Sequence, residues 1–405
     1  MKPILRAERM KPVHSDIRGP LFVEAMKRQK QGIDVLKLNT GNPATFGFGL
    51  PDSIKNALME HMQDGVGYCD FKGMPQARQA ICDYETSKGI KGITPDDVFI
   101  GNGVSEVVSF ALTPLLNDGD EVLVPSPSYS LWGNSVYLED GKPVFYTCDE
   151  QANWYPDIQD IRSKITDKTK AIVIINPNNP TGVLYPKEIL LEIIQVAREF
   201  GLLIFADEIY DRLVMDGKQH ISLASLTEDV PVITLNGLSK SHCLCGYRCG
   251  WMVISGPREL TEDYRQGIIQ LTSLRLCANT MAQIVIPAAL DDMETPASMV
   301  RPGGRIYEQR EATVRELEKI DGLSFVKNDA AFYVFPKLDV KKFNITNDKQ
   351  FAHDLLDVTN ILLVPGSGFD WKDPDHFRIV MLPQADILSD AIRRMGTFLD
   401  GYKQK

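Results

Sequence analysis

The sequence lacks an excess of positive charge. Its 405 residues include 44 lysines and arginines against 54 aspartates and glutamates, which leaves a formal net charge of −10 at pH 7. A general nucleic-acid-binding protein normally shows a basic balance or a basic block, and neither is present. We therefore expect no nucleic-acid partner, although basic pockets can exist locally inside an acidic protein.

Cysteines and long apolar runs are also scarce. Seven cysteines are scattered along the chain, and their odd number does not suit a dense disulfide scaffold, which favours a reducing compartment. No stretch approaches the roughly 20 apolar residues that a membrane-spanning helix needs. The N-terminal residues MKPILRAERMKPVHSDIRGP carry charges throughout and lack the apolar core of a signal peptide. These absences predict a cytoplasmic protein without a membrane partner.

The hydrophobic pattern predicts two kinds of domain. Between about residues 51 and 290, short apolar runs alternate with helical segments such as Lys187–Glu199 and Ser105–Leu116. This alternation is typical of a parallel sheet covered by helices on both faces. A predicted helix over Arg305–Ile320 is then followed by short strands, which indicates an α+β unit. We expect an arm and part of the small domain over 1–50, a large domain over 51–304 and a small C-terminal domain over 305–405.

Ligands of an open α/β sheet bind outside the carboxyl ends of its strands. The residues that follow the apolar runs are therefore candidates for a site. Four segments at these positions carry reactive or unusual residues: Gly101-Asn102-Gly103-Val104-Ser105, Pro177-Asn178-Asn179-Pro180-Thr181-Gly182, Asp207-Glu208-Ile209-Tyr210 and Gly237-Leu238-Ser239-Lys240.

Lys240 and Asp207 point to one cofactor when they are considered together. A lysine just past a buried strand is a candidate nucleophile, because desolvation lowers the pKa of an amine. Taken alone, Lys240 is explained by a surface lysine and Asp207 by a helix-capping carboxylate. A pyridoxal phosphate enzyme needs both residue types, a lysine for the aldehyde and an acid for the ring nitrogen. The pair therefore predicts pyridoxal 5'-phosphate as the cofactor.

A second group of residues suits the phosphate of that cofactor. Gly103-Val104-Ser105 opens a predicted helix, whose free N–H groups and dipole attract an anion. Arg248, eight residues after Lys240, can add a bidentate charge-assisted pair. The same segment superficially resembles a dinucleotide fingerprint, but Glu106 stands where glycine or alanine is required. We expect a phosphate site and no dinucleotide site.

Three blocks occur in an order that identifies a family. They are NPNNPTG at 176–182, ADEIY at 206–210, and NGLSK at 236–240 followed by GYRCGW at 246–251. In this order they resemble the class I pyridoxal-phosphate aminotransferases of fold type I. The resemblance covers nearly the whole chain, from DIRGP at 16–20 to HFRIV at 376–380. With LNTGNP at 38–43, it is most similar to the bacterial glutamate–pyruvate (alanine) aminotransferase branch.

The resemblance implies a fold, an activity and an assembly. The fold is α/β, with a large domain built on a mostly parallel seven-stranded sheet between helices, and a small α+β domain. The activity is a ping-pong transamination of L-alanine and 2-oxoglutarate to pyruvate and L-glutamate. The assembly is a homodimer with shared active sites.

The resemblance also implies a role for each matched residue. Lys240 bonds to the cofactor aldehyde and moves the proton between the substrate Cα and the cofactor, while Asp207 binds the ring nitrogen. The other cofactor contacts are Asn179 and Tyr210 at the ring hydroxyl, Tyr129 on the ring face, Val104, Ser105, Ser239 and Arg248 at the phosphate, and Tyr68 at the phosphate of a partner subunit. The substrate contacts are Arg378, Gly41 and Asn179 at the α-carboxylate, and Arg18 at the distal carboxylate of glutamate.

Two departures from the family pattern leave the substrate open. Positions 241–245 read Ser-His-Cys-Leu-Cys, where this branch usually carries larger polar or aromatic residues, and Ser15 replaces an expected aromatic residue. The alternatives are an aminotransferase of aromatic or branched amino acids, a pyridoxal-phosphate lyase, and a cofactor-binding regulatory module. The intact lysine, aspartate and phosphate cradle argue against the last.

The cysteines of the 243–249 segment raise the question of a zinc site. Cys243, Cys245 and Cys249 have C-x-C-x3-C spacing and lack the paired C-x2-C pattern of common structural zinc sites. Small buried thiols packed beside the cofactor loop explain them better. We therefore expect no metal.

Overall fold

The structure is a computed structural model that describes residues 3–405. Over these residues the strands form one large sheet and three small ones. In chain order the strands are β1 (Leu36–Lys37), β2 (Val98–Asn102), β3 (Glu121–Ser126), β4 (Lys142–Asp149), β5 (Tyr155–Pro156), β6 (Thr169–Ile175), β7 (Leu203–Asp207), β8 (Val232–Gly237), β9 (Cys249–Ser255), β10 (Leu323–Ser324), β11 (Tyr333–Val334), β12 (Lys337–Leu338), β13 (Ile361–Leu362), β14 (Val364–Pro365) and β15 (Phe377–Val380).

The helices vary from one turn to five. They are α1 (Pro20–Lys30), α2 (Asp52–His61), α3 (Pro75–Ser87), α4 (Val104–Leu112), α5 (Leu131–Leu138), α6 (Ile158–Lys164), α7 (Lys187–Phe200), α8 (Leu238–Ser241), α9 (Arg258–Arg275), α10 (Thr280–Ile284), α11 (Ile286–Asp291), α12 (Glu294–Val300), α13 (Arg305–Leu317), α14 (Val340–Phe343), α15 (Asp348–Thr359) and α16 (Ala385–Asp400). Within residues 3–405, no single helix is both long and apolar enough to cross a membrane. Only α9 taken together with Thr280–Asp291, a pair bent by 119°, meets those two criteria.

The large sheet is mostly parallel. Its spatial order is β2-β9-β8-β7-β6-β3-β4-β5. Five central strands are parallel to one another, in the spatial order β8-β7-β6-β3-β4. Strand β9 runs antiparallel between β8 and β2. The first seven strands in this order form the expected sheet. The expected number was one too low for the described residues, because β5 adds an antiparallel edge strand of two residues, too short to leave a hydrophobic pattern.

Both faces of the sheet are buried, which explains the continuous apolar runs. In β6, Ile172 and Ile174 pack into one hydrophobic cluster, while Ala171, Val173 and Ile175 pack into another on the opposite face. Alternate side chains of a strand point to opposite faces, so a strand covered on both sides needs apolar residues at every position. The sheet is thus the middle layer of the large α/β unit.

The predicted helices are present, with different ends. The helix expected over Ser105–Leu116 is α4, which begins one residue earlier and ends at Leu112. Pro114 accounts for the early end, because proline has no backbone N–H with which to continue the hydrogen bonds of the helix. The helix expected over Arg305–Ile320 is α13, which ends at Leu317.

The N-terminal segment packs against the C-terminal part of the chain. β1 pairs in parallel with β13, so that Leu36 lies opposite Ile361. Leu38 is fully buried in a hydrophobic cluster that otherwise consists of residues from α13 onwards, including Ile379. A small domain built from both ends of the chain requires contacts of this kind. The domain boundaries at 50 and 304 stay a prediction.

One close backbone contact between β9 and the start of α4 can be tested. A Cβ atom on Gly250 would lie 2.4 Å from the Val104 nitrogen and 2.6 Å from the Gly103 carbonyl carbon. We expect Gly250→Ala to lower the free energy of unfolding by about 1–3 kcal/mol, since rigid backbone atoms must move. Denaturant unfolding measures this loss. Gly246→Ala is the matched control, because no atom lies within 4 Å of its Cβ position; equal stability of the two variants would contradict the expected overpacking.

Candidate functional site

The candidate site lies where the carboxyl ends of parallel strands meet. Asp207 is the last residue of β7, and Lys240 lies in the one-turn helix α8 that follows β8 directly. Asn179 follows β6 in a loop with cis peptide bonds before Pro177 and Pro180. Because β6, β7 and β8 are parallel neighbours, their ends place these side chains at one edge of the sheet.

The amine of Lys240 is held by acceptors from two segments. Its Nζ donates to the Gly41 carbonyl at 2.9 Å and lies 3.9 Å from Cys245 Sγ. Burial lowers the pKa of Lys240, but Tyr333 and Cys245 outweigh burial, and the pKa is raised above the ordinary lysine value. The lowered pKa expected from the sequence is therefore wrong for this environment. The contacts hold the side chain as an ammonium ion.

Asp207 is a buried carboxylate with two hydrogen-bond donors. Trp132 Nε1 donates to its Oδ2 at 3.1 Å, and the Ile209 amide donates to its Oδ1 at 3.4 Å. Burial raises the pKa of Asp207 to about 6, against the lowering effect of those donors. A carboxylate has about four acceptor positions, so both oxygens keep capacity for a further N–H donor.

Trp132 is a site residue that sequence reasoning missed. It stands three residues after Tyr129 in PSPSYSLW and is fully buried on α5. A buried tryptophan normally finds an acceptor for its N–H. That rule predicts a hydrogen-bond acceptor for Trp132, but it does not identify Asp207 as the acceptor.

The residues predicted to hold the phosphate lie together at the start of α4. Arg248 Nη2 donates to Ser105 Oγ at 3.1 Å, and Arg248 Nη1 donates to the Cys245 carbonyl at 3.0 Å. Gly103 has φ of 85°, and a Cβ there would lie 2.3 Å from Arg248 Nη2. Only glycine permits this approach. The guanidinium thus lies beside the free N–H groups of the first turn, which include that of Val104.

Arg378 is a second positive group whose surroundings suit an anion. Its side chain is 1% exposed and lies 4.6 Å from the ring centroids of both Tyr333 and Phe369. Nη1 donates to Asn179 Oδ1 at 2.9 Å, and Nη2 donates to the Asn39 carbonyl. Its Nε has no hydrogen-bond partner, and within residues 3–405 no carboxylate pairs with it. A buried guanidinium without a counter-ion favours a carboxylate ligand.

Tyr210 and Tyr333 lie close to Arg378, and Tyr333 also acts electrostatically on Lys240. Their hydroxyls are 2.7 Å apart, and both rings are buried. Gly41 lies against this pair, since a Cβ on it would be 2.3 Å from Tyr333 Oη. Sequence reasoning missed Tyr333 because an aromatic residue in the alternating AFYVF segment is also typical of core packing.

Three other sequence-predicted residues lie nearer the solvent. Ser239 is half-buried, and its carbonyl accepts from Cys245 Sγ at 3.0 Å. Tyr129 is 37% exposed and acts electrostatically on Lys240. Tyr68 is 84% exposed, so its expected contact with a partner subunit stays a prediction.

Metal-ligand geometry occurs away from the cysteines. In the described part of the chain, Glu208, Asp211 and His220 are the residues whose ligand atoms lie within 4.8 Å of one another in a group of three. The cysteines of the 243–249 segment do not form such a group. Lys88 Nζ already lies 2.8 Å from Glu208 and 3.2 Å from Asp211, which gives these carboxylates a cation from the chain itself.

The arm that carries Arg18 is attached through His14. His14 Nε2 lies 3.0 Å from Asp370 Oδ1, and its backbone carbonyl accepts from Asn134 Nδ2 at 2.6 Å. Asp16 and Asp370 raise the pKa of His14 to about 9. Arg18 itself is exposed and makes no ion pair within residues 3–405. The arm is therefore fixed at His14, four residues before the free guanidinium.

The family was tested by comparison with known proteins. The model for Aminotransferase class I and II matches residues 33–392. The chain belongs to this family. It is 49% identical, over the full length of both chains, to the glutamate-pyruvate aminotransferase AlaA of Haemophilus influenzae. The enzyme class predicted from the sequence is confirmed.

Solved structures confirm the fold of this aminotransferase. An aminotransferase from Escherichia coli superposes with a TM-score of 0.98 at 47% identity, and each chain covers 100% of the other. An alanine aminotransferase from Pyrococcus furiosus superposes with a TM-score of 0.93 at 41% identity, covering 98% of this chain and 100% of its own. The α/β fold with a large, mostly parallel sheet is that of the family.

The attachment of the arm should depend on pH. An imidazolium whose pKa is raised from 6.5 to about 9 stabilises the attached arm fully below pH 6.5 and loses that effect as pH rises through 9. Hydrogen exchange of residues 10–20, corrected for the intrinsic rate, should therefore speed up between pH 7 and pH 10. His14→Gln is the control, and its exchange should be faster at pH 7 and independent of pH. Equal protection of both proteins would contradict the role of His14.

Proposed function

We propose that this aminotransferase moves the amino group of L-alanine to 2-oxoglutarate with pyridoxal 5'-phosphate, giving pyruvate and L-glutamate. The observation that carries the proposal is the convergence of the half-buried Lys240 ammonium with two buried groups, the Asp207 carboxylate and the unpaired Arg378 guanidinium. The choice of alanine is supported by the names of full-length relatives at 49% and 47% identity, both called glutamate-pyruvate aminotransferase.

The residues present fit the cofactor. A phosphate suits the first turn of α4, where Arg248 lies 3.1 Å from Ser105 and a Cβ on Gly103 would close the space. A ring nitrogen suits Asp207, whose oxygens keep free acceptor positions beside the indole of Trp132. When bound, pyridoxal phosphate supplies an aldehyde for amines and a ring that withdraws electrons from the substrate Cα.

Each side chain of the site has one task in this reaction. Once it has lost its own extra proton, the neutral amine of Lys240 would take the proton from the substrate Cα and return it, because it is the basic group that emerges from α8. Asp207 would hold a proton on the ring nitrogen of the bound cofactor by accepting a hydrogen bond from it. Tyr210 and Asn179 would donate hydrogen bonds to the oxygen of the ring hydroxyl.

One pocket must accept two different amino acids in turn. Arg378 binds the α-carboxylate of both, because its planar fork matches a carboxylate and Asn179 holds it in place at 2.9 Å. Alanine ends in a methyl group, whereas glutamate brings a second carboxylate. Arg18, exposed on the arm fixed at His14, is the group we assign to that second carboxylate.

The assembly we propose is a homodimer in the cytoplasm. Tyr68 is 84% exposed, and the neighbouring Val66 is 77% exposed. Leu274 and Leu276, on and just after the end of α9, are 82% and 53% exposed. Apolar surface of this kind favours association of copies, and it would place Tyr68 against the phosphate cradle of a partner subunit.

The proposed reaction is tested by its first half. Alanine added to the yellow purified protein should convert its lysine-linked absorbance band to the pyridoxamine form and release one pyruvate per site. Subsequent 2-oxoglutarate should restore the band. Ammonia release without a pyridoxamine form would indicate a lyase. Conversion by aromatic or branched amino acids alone would indicate another aminotransferase. The absence of any spectral change with amino acids would indicate a binding module.

Borohydride trapping identifies the amine that carries the cofactor. Reduction of the loaded protein should attach the cofactor irreversibly to Lys240, as read by peptide mass spectrometry. Lys240→Ala should abolish the covalent adduct and the half-reaction, because among residues 3–405 Lys240 is the lysine whose amine lies against Gly41 at the site. Lys91→Ala is the control, since Lys91 is exposed and paired with Glu228 at 2.7 Å. A trapped adduct in Lys240→Ala would overturn the assignment.

Substitution of Arg378 and substitution of Arg18 should have different effects on KM. Arg378→Ala should raise KM for both alanine and glutamate, since each loses the partner of its α-carboxylate, by about 100-fold for a buried charge-assisted pair. Arg18→Ala should raise KM for glutamate and leave that for alanine near the wild-type value. Steady-state kinetics with each donor measure both effects. Equal effects of Arg18→Ala on the two donors would reject its role.

A further inference from the structure

A buried cluster of charged residues lies directly behind the site. Lys88 Nζ contacts three carboxylates, at 2.7 Å from Glu85, 2.8 Å from Glu208 and 3.2 Å from Asp211. The side chains of the three acids are 0–3% exposed and that of Lys88 is 13% exposed. Buried charges are costly unless they are paired, so this ammonium has an essential local role.

The acids outnumber the cation within this cluster. Lys88 faces three carboxylates, and burial raises the pKa of Glu85 to about 7, with Glu208 and Asp211 adding to the effect. His220 lies 4.0 Å from Glu208, and burial lowers its pKa, so it is neutral at pH 7. Lys88 is therefore the ammonium that balances the charge here. Two further groups face the cluster, the Tyr84 phenol and the Arg212 guanidinium that lies 4.3 Å from its ring.

Two of the acids are tied to the strands that carry Asp207 and Lys240. Glu208 follows Asp207 directly, and its amide donates to the Leu235 carbonyl of β8 at 2.8 Å. Asp211 Oδ2 accepts from Asn236 Nδ2, at the end of β8, at 2.7 Å. Asn236 in turn accepts from the next amide, at the turn that leads into α8. Glu208 and Asp211 thus connect the cluster to the ends of both β7 and β8.

The remaining members reach the two neighbouring strands. Glu85 Oε1 accepts from Trp251 Nε1 at 3.2 Å, on β9, three residues after Arg248. His220 Nε2 donates to the carbonyl of Asn176 at 3.1 Å, three residues before Asn179. Hydrogen bonds from the cluster therefore reach four adjacent strands of the sheet, and a residue of the cofactor site lies at or close to an end of each.

We propose that Lys88 is a positioning residue of the cofactor site, which sets the relative placement of the strand ends that carry Asn179, Asp207 and Lys240. The proposal rests on the proposed function, because it takes the cofactor site as given. Removal of the ammonium leaves Glu208 and Asp211 facing each other without the cation that contacts both of them. Their repulsion separates the residues next to Asp207 and Asn236, and with them the groups that hold the ring.

Two substitutions at one position test this role. Lys88→Met removes the charge, and Lys88→Gln removes the charge but keeps an amide that donates to the carboxylates. The matched control is Lys91→Met, three residues further on, where the lysine is 69% exposed and its partner Glu228 is 68% exposed. The loaded protein of each variant is diluted into buffer, and release of the cofactor is followed by loss of the lysine-linked absorbance band.

We expect faster release in both Lys88 variants, by about tenfold or more, which corresponds to about 1.4 kcal/mol of binding free energy. The pH midpoint of the absorbance band should also move upward, because loss of a nearby positive charge favours protonated forms. A role in stability alone would lower the unfolding midpoint without moving the absorbance midpoint. Lys91→Met should match the wild-type protein in both measurements.

The outcomes are decisive in either direction. Unchanged release and an unchanged pH midpoint in Lys88→Gln overturn the proposal, even if Lys88→Met fails to fold, because Lys88 then serves stability alone. The readouts do not depend on the amino donor. A wild-type protein that binds the cofactor but does not convert alanine fails the proposed function, while the release rates still decide the role of Lys88.

Discussion

The parallel pairing of β6, β7 and β8 is the constraint on which the rest of the structure depends. Parallel neighbours end at the same edge, so residues separated by about 30 positions in the chain become adjacent there. The strands are apolar because helices cover both faces, and polar groups can emerge only where the strands stop. The groups assigned to the cofactor ring therefore lie at the ends of these strands, whereas the phosphate cradle at α4 and Arg378 on β15 come from other elements.

Buried charge shapes the site more than apolar packing does. Arg378 has no carboxylate partner in the described chain, while Asp207 has donors but no salt bridge. Each is costly in the folded chain and becomes favourable when a ligand of opposite charge arrives. The apolar core around them keeps these groups from relaxing into self-satisfied pairs, so part of the folding free energy is held as affinity for ligands.

The sequence predicted the site better than it predicted the contacts within it. Lys240, Asp207 and Arg248 could be found because strand-end position and residue type agree with a family pattern. Trp132 and Tyr333 could not, since a buried aromatic residue in a helix or a short strand is typical of any core. The raised pKa of Lys240 was also beyond reach. It depends on Tyr333 and Cys245, whose approach is set by tertiary packing. The short strand β5 was missed because two residues carry no period.

The pairing of the two ends of the chain has a consequence for synthesis. Arg378 reaches the carbonyl of Asn39, 339 residues earlier, and the amide of Val380 donates to the Leu38 carbonyl at 3.1 Å. A ribosome that has made the whole central sheet has therefore not yet made Arg378, the residue that we assign to the substrate carboxylate. Residues 36–39 must wait for nearly the entire chain before they find their partners. The surroundings of Arg378 can therefore be completed only after the C-terminal part of the chain has been made.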